Sequence, residues 1–276
     1  MTPVEDDVDD LTRKQRREQA REQRKAMEQA EAQQAVRRAR LRQLAVAVTV
    51  VVVAIVAIAV AAGGSSKTAP PKEGSQAERA AVAAVVSTVG GAPQSGNVLG
   101  SPTAPATLVY FGDLQCPICK DFTLGALPSV IQQWVKSGKL RIEYRAMETA
   151  THEQETFKNQ QVAALAAGKQ NRMWYYLELF YHQQGEENSG YVTEAYLQML
   201  ARQVPGLDVA KWANERGNPE LASQIAADGQ AANNAGFNGT PSFLLGRTGG
   251  AMKKFEFASL KDASSFTPAI EALLKG

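Results

Sequence analysis

Cysteine is scarce in this chain: there are two, Cys116 and Cys119, in 276 residues. A scaffold held together by disulfides needs more of them. A bridge between positions so close would also constrain little of the unfolded chain. Histidine is equally scarce, with only His152 and His182. A structural zinc site wants four Cys or His ligands, usually including a second Cys-x-x-Cys pair. That pair is missing, so no metal is expected. Charge of one sign is not in excess either: 30 Lys and Arg stand against 28 Asp and Glu. Such a balance argues against a polyanion binder, and no nucleic-acid partner is expected. No internal repeat is evident.

What is present is unevenly distributed. Residues 1–43 hold eleven Lys or Arg and nine Asp or Glu, and are rich in Gln and Ala. That composition favours helix, but apolar residues are too sparse for a core face. The segment reads as a solvated charged tail. Residues 44–62 then contain no charged residue and consist mostly of Val, Ala, Ile and Leu. Such a run approaches the ~20 residues that cross a bilayer core. Arg37, Arg38, Arg40 and Arg42 precede it, whereas only Lys67 and Lys72 follow closely. The positive-inside bias therefore predicts a single-pass membrane anchor, with the N-terminus cytoplasmic and the rest outside. A cleaved signal peptide is the rival, with Ala59-Val60-Ala61 as its cleavage site. The apolar run is longer than the ~7–15 residues usual for one, so an uncleaved anchor is expected.

Residues 63–96 are expected to be an extracytoplasmic linker. Gly, Ser, Pro and Lys dominate its start, 77–89 could form a short helix, and Gly90, Gly91, Pro93 and Gly96 break the chain again. The folded domain is expected over 97–276. Residues 107–111 read as a buried strand. A helix is expected over 117–135, kinked at Pro128. Leu140, Ile142 and Tyr144 alternate with charged residues, the period of a half-buried strand. From about 150 to 235 the pattern is helical, with Asn218-Pro219 as a helix start. Strands at 243–245 and 254–257 and a final helix from Thr267 complete the order.

The chemistry concentrates in residues 111–122, FGDLQCPICKDF. A buried strand runs into Cys-Pro-Ile-Cys, and a helix begins there. Cys116 then sits at a helix N-terminus, where free N–H groups and the dipole favour a thiolate. Pro117 suits the first turn because it lacks an N–H. Cys119 follows one turn on, within reach of a mixed disulfide on Cys116. Thiol–disulfide exchange needs such an attacking and resolving pair. An inert buried thiol pair is the bland alternative. A second landmark is Gly239-Thr240-Pro241-Ser242 before the strand at 243–245, which could equally be an ordinary turn.

The stretches LGSPTAPATLVYFGDLQCPICKDF at 99–122 and GFNGTPSFLLG at 236–246 together resemble the DsbA-like branch of the thioredoxin superfamily. Cys119 and Pro241 are 122 positions apart, and the stretch between them is similar in content to that family's inserted helical domain. The resemblance spans about 97–276. It implies a fold of class α/β, thioredoxin-like, with an inserted helical subdomain, here preceded by a transmembrane helix. It implies that Pro241 is a cis-proline facing the active-site disulfide and that the backbone of Thr240 binds the substrate chain. Catalysis would fall to Cys116 and Cys119, with Pro117, Ile118 and Pro241 in support. No cofactor is implied. The partners implied are thiol-containing translocated proteins and a membrane, quinone-linked protein for reoxidation. Two departures stand out. Pro-Ile lies between the cysteines instead of the Pro-His of strong oxidants, and Tyr110 stands where a buried glutamate is common. Asp113 is nearby, but it follows the strand and is expected near the surface. The expected activity is oxidation of thiols in translocated proteins. A reductase or isomerase on the same bonds, or a tethered non-catalytic peptide-binding module, are the rivals.

Overall fold

The structure, a computed structural model, describes residues 73–275. The predicted tail (1–43), the predicted span (44–62) and the start of the linker lie outside the described residues. Among the described residues no helix is long and apolar enough to cross a membrane.

The chain order is α1 (Gln76–Val89), β1 (Gln94–Ser95), β2 (Val98–Leu99), β3 (Ala106–Gly112), α2 (Pro117–Leu124) and α3 (Ala126–Val130), which runs into a π turn (Ile131–Val135). Next come β4 (Leu140–Ala146) and five helices, α4 (Gln154–Gly168), α5 (Met173–His182), α6 (Glu194–Gln203), α7 (Val209–Glu215) and α8 (Pro219–Asn234). Then follow β5 (Ser242–Arg247), β6 (Met252–Lys254), a 3-10 turn (Ala263–Ser265) and α9 (Thr267–Lys275). One six-stranded sheet runs β1-β2-β4-β3-β5-β6. Strands β3 and β4 are parallel and the other pairs antiparallel. This is the expected thioredoxin-like α/β arrangement, with the helical block inserted between β4 and β5.

Central β3 (ATLVYFG) is buried at all seven positions, as a strand covered on both faces must be. β4 alternates buried and half-buried residues, so Leu140, Ile142 and Tyr144 face the core and the charged residues between them face out. Register sets Tyr110 of β3 between Tyr144 of β4 and Phe243 of β5. In the helical block, α4 is buried continuously from Gln160 to Gly168. The small residues there let α5, α7 and α8 approach closely, and the Trp212 indole N–H of α7 donates to the Ala163 carbonyl at 2.8 Å.

Three expectations need correction. The folded domain starts near residue 75, not 97. Ser75 caps α1 by accepting from the Glu78 N–H at 3.1 Å. Ala81, Val85 and Val89 form a buried stripe, with both valines in the main core. Burial of the two valines alone stabilises the docking by about 3 kcal/mol. The glycines read as linker breaks instead build tight turns, with φ of 81° at Gly91 and 58° at Gly96. The helix after Cys116 breaks at Gly125, not Pro128. A Cβ at Gly125 would sit 2.5 Å from the Asp121 carbonyl oxygen and 2.7 Å from Lys261 Cα. Pro128 falls in the first turn of α3, where no N–H is missed. Finally, β6 covers Met252–Lys254 and not 254–257. The Phe255 N–H still donates to the Phe243 carbonyl at 3.0 Å, but the regular pairing ends there, and the Phe255 and Phe257 rings pack on Phe266, with centroids 5.2 and 6.3 Å away.

Candidate active site

β3 ends at Gly112, and the chain then turns through Asp113. That residue is fully buried, not near the surface as the sequence suggested. Its carboxylate accepts from the backbone N–H groups of Gln115 (3.1 Å), Thr149 (3.1 Å), Ala150 (2.9 Å) and Thr151 (2.9 Å). It also accepts from the Thr151 hydroxyl (2.6 Å) and the Gln160 amide (3.1 Å). Such charge-assisted bonds are the strong ones. They tie the loop after β4 to the turn that carries the cysteines. The Asp113 carbonyl accepts in addition from the Cys116 N–H at 3.0 Å.

Cys116 is the N-cap of α2, and Pro117 occupies the first helical position. The Cys119 N–H points at the Cys116 sulfur, 3.4 Å away. Both cysteines are free thiols. Cys116 keeps 5% exposure and Cys119 none, so only Cys116 has an opening to another molecule. The Cys119 thiol, donating to the Cys116 sulfur, is the chief reason the Cys116 pKa falls to about 6 against the opposing effect of burial. Hydrogen bonds from Thr240 and from the N–H groups of Cys119 and Ile118 add to the fall. Burial first, and then the Cys116 thiol beside it, push Cys119 well above the ordinary thiol range. The two thiols are therefore split into one readily ionised and one held as the acid.

The Thr240–Pro241 bond is cis. The Thr240 carbonyl lies 3.4 Å from the Cys116 sulfur. Pro241 itself is buried at the start of β5. Ile118, at 48% exposure, is one of the few large apolar side chains at the surface, beside the Cys116 opening. The structure thus brings together all six residues singled out in the sequence: Cys116, Pro117, Ile118, Cys119, Thr240 and Pro241.

Sequence reasoning missed several neighbours. The Thr149 and Thr240 hydroxyls share a hydrogen bond of 2.6 Å, which fixes the loop holding the cis bond. The Gln184 amide donates to the carbonyls of Leu114 (2.7 Å) and Cys116 (3.1 Å). The Gln115 amide oxygen accepts from the Asn188 N–H at 3.0 Å. The turn after α5 therefore clamps the cysteine turn from the helical side. None of these residues carries a motif. The one usable signal was Asp113, a carboxylate directly after an all-buried strand. His182 is half-buried, and burial, then Lys120, lower its proton affinity. His152 is exposed. Among the described residues no group of three or more His, Cys, Asp or Glu is placed to hold a metal ion.

Comparison with known proteins adds four findings. The sequence pattern of the thioredoxin family matches residues 93–258. A probable disulfide bond formation protein D of Bacillus anthracis is 24% identical over 172 residues, covering 60% of this chain and 75% of that protein. Among solved structures, oxidised BdbD from Bacillus subtilis superposes with a TM-score of 0.55 at 22% identity, over 68% of this chain and 99% of that one. A thioredoxin-like oxidoreductase from Silicibacter pomeroyi superposes with a TM-score of 0.50 at 27% identity, over 69% and 98%.

Proposed function

The chain belongs to the thioredoxin family, in its DsbA-like branch, and on that premise we propose that it oxidises thiols of translocated proteins outside the cytoplasmic membrane through a Cys116–Cys119 disulfide. Its activity class is protein thiol–disulfide oxidoreductase. The observation that carries the reading is the asymmetry of the pair. Cys116, with its pKa lowered to about 6, opens to the surface beside the Thr240 backbone, while Cys119 is sealed beneath it with its proton held.

The reaction follows from that asymmetry. A substrate thiolate attacks Cys116 of the disulfide, and Cys119 leaves. The substrate chain lies along the Thr240–Pro241 loop in a mixed disulfide with Cys116. A second substrate thiolate attacks its own sulfur, and Cys116 leaves as a stabilised thiolate. A good leaving group is one of low pKa, so the split supports oxidation of substrate. Pro117 and Ile118 support the site: the first opens the helix, the second offers an apolar surface to residues flanking the substrate cysteine. Reoxidation falls to a membrane, quinone-linked partner.

The test is a dithiol peptide mixed with the oxidised protein. The expected result is stoichiometric peptide oxidation, with a reduction potential between the ~−270 and ~−120 mV of the family extremes, because Ile118 adds no positive charge to the thiolate. A potential at or below the lower bound, with faster reduction than oxidation of the peptide, replaces this reading with a reductase. Full biological function in a Cys116/Cys119 double mutant replaces it with a binding module.

Location rests on the uncharged run at 44–62 and the arginines before it. The domain layout that accompanies it is a cytoplasmic tail at 1–43, a span at 44–62 and a short tether to Ser75. External protease on intact cells should remove the catalytic domain and spare residues 1–43. Protection of the domain would reverse the orientation.

A further inference from the structure

Residues 236–241, between α8 and β5, carry Thr240 to the mouth of the site. The Gly236 and Phe237 N–H groups donate back to α8, to the carbonyls of Asn233 (2.8 Å) and Ala232 (3.0 Å). The Lys254 ammonium donates to the Gly236 carbonyl at 3.1 Å, and the Ser242 hydroxyl donates to the Gly239 carbonyl at 2.6 Å. None of these bonds reaches the side of the site that carries the cysteines. Among the described residues two hydrogen bonds do, and both fall on Thr240. The Cys116 thiol donates to its carbonyl at 3.4 Å, and its hydroxyl pairs with the Thr149 hydroxyl at 2.6 Å. The first of these exists only while Cys116 holds a proton. In the disulfide the sulfur has none to give. In the oxidised form that meets substrate, the Thr149 hydroxyl is therefore the remaining hydrogen-bonded link across the site. Thr149 itself is fixed. Its N–H donates to the Asp113 carboxylate at 3.1 Å, beside those of Ala150 and Thr151 at 2.9 Å each. The Asp113 carbonyl accepts from the Cys116 N–H at 3.0 Å. Cys116 and Thr149 thus hang from one buried residue.

We propose that Thr149 is a positioning residue for substrate recognition: through the Thr240 hydroxyl it holds the Thr240 backbone where an incoming substrate strand can bond it, at a fixed offset from the Cys116 sulfur. The proposal rests on the oxidoreductase reading above and adds to it a residue outside both sequence motifs. Once Cys116 has no proton to give, the Thr240 carbonyl is an open acceptor. The Thr240 N–H makes no hydrogen bond among the described residues either. Both groups are then free for a peptide. A strand that bonds them must also bring its cysteine sulfur in line with Cys116, so the orientation of this one backbone unit governs the encounter. The bond to Thr149 joins that unit to the body that holds Cys116. Thr149 and Thr240 are only half-buried, so the pair lies at the edge where a substrate arrives. Thr149 acts through Thr240 and leaves the reacting sulfurs alone. Its loss is therefore read in how well a peptide is held, and not in the attack on the disulfide once the peptide is in place. Dithiothreitol, a small dithiol with no peptide group to offer, reports on Cys116 without that contact.

The experiment is Thr149→Val, which keeps the branched shape and removes the hydroxyl. The oxidised full chain is mixed in stopped flow with increasing dithiol peptide, and separately with dithiothreitol. The half-saturating peptide concentration should rise roughly three- to tenfold, the effect of losing one hydrogen bond between neutral groups, at an unchanged limiting rate. The ratio of peptide to dithiothreitol reactivity should fall by the same factor. Thr149→Ser keeps a hydroxyl and should restore the parental values. In a Thr240→Val background the change at 149 should cost the peptide nothing further, because its partner is already gone. Equal slowing with peptide and with dithiothreitol overturns the proposal, since it marks a general disturbance of the site. Parental behaviour of a folded Thr149→Val protein overturns it too, as does a full additional loss in the Thr240→Val background or a serine variant that restores nothing. If valine is not tolerated, Thr149→Ala removes the same hydroxyl with less bulk and is held to the same outcomes. Failure of the parent protein itself to oxidise the peptide strikes the oxidoreductase reading instead, and is read before any variant.

Discussion

Replacing Cys119 by serine should convert turnover into trapping, with substrate proteins held on Cys116 as mixed disulfides, while Cys116→Ser should bring exchange down to background. The physical basis is the split between the two thiols. At a pKa of about 6, Cys116 is about nine-tenths thiolate at neutral pH, and the thiolate is the nucleophile. Cys119 is pushed the other way by burial. Serine at 119 retains a hydroxyl that can donate to the Cys116 sulfur, so the thiolate survives the substitution. Alanine there would remove the largest contribution to it. The sign of the linked stability follows. A thiol whose folded pKa lies below its unfolded value of ~8.5 stabilises the folded dithiol form as pH rises past about 6, fully above ~8.5. That stabilisation is lost as pH falls through 6. A stabilised reduced form is what drives an oxidant. Native-state alkylation should therefore label Cys116 with a midpoint near pH 6 and leave Cys119 unlabelled until far higher pH. Faster labelling of Cys119 would exchange the two roles.

Much of this site was legible because its signals are local. A strand of one threonine and four apolar residues shortly before Cys-Pro-Ile-Cys places a thiol at a helix start without any tertiary information. Gly-Thr-Pro directly before a strand marks the second loop. What was not legible depends on contacts distant in sequence. Thr149 matters because β4 and β3 run parallel and end side by side, which brings its hydroxyl to Thr240 across 91 positions. Asp113 was misplaced because charge was weighed without its partners: six donors from three segments compensate its burial. The short helix expected at 77–89 was assigned to the linker because its buried stripe is narrow, with Ala81, Val85 and Val89 separated by exposed or half-exposed residues. Only docking against α5 shows it to be part of the core. The second glycine-rich break concealed a small hairpin for the same reason, since β1 and β2 are two residues each and exist by pairing onto β4.

Substituting Glu178 by glutamine should make the protein more stable at alkaline pH and leave it nearly unchanged in acid. Glu178 lies on α5 with 1% exposure, and neither carboxylate oxygen has a hydrogen-bond partner among the described residues. Burial alone raises its pKa to about 8. In the unfolded chain the same carboxyl titrates near ~4.3. Below that value both states carry the proton, and the group imposes no ionic cost. Between ~4.3 and about 8 the unfolded state ionises while the folded state does not. Folding then takes up a proton, and stability falls by about 1.4 kcal/mol for each pH unit. Above about 8 the loss stops growing and stays at several kcal/mol. Glutamine has nearly the same shape and never ionises, so this slope should disappear from the variant. Urea unfolding at pH 5 and pH 8 measures it. The parent should lose stability between the two by more than the variant does, and the gap should be kilocalories, well outside the error of the extrapolation. An equal change in both proteins would mean that Glu178 gains a partner that holds its charge, and the burial argument for it would fall.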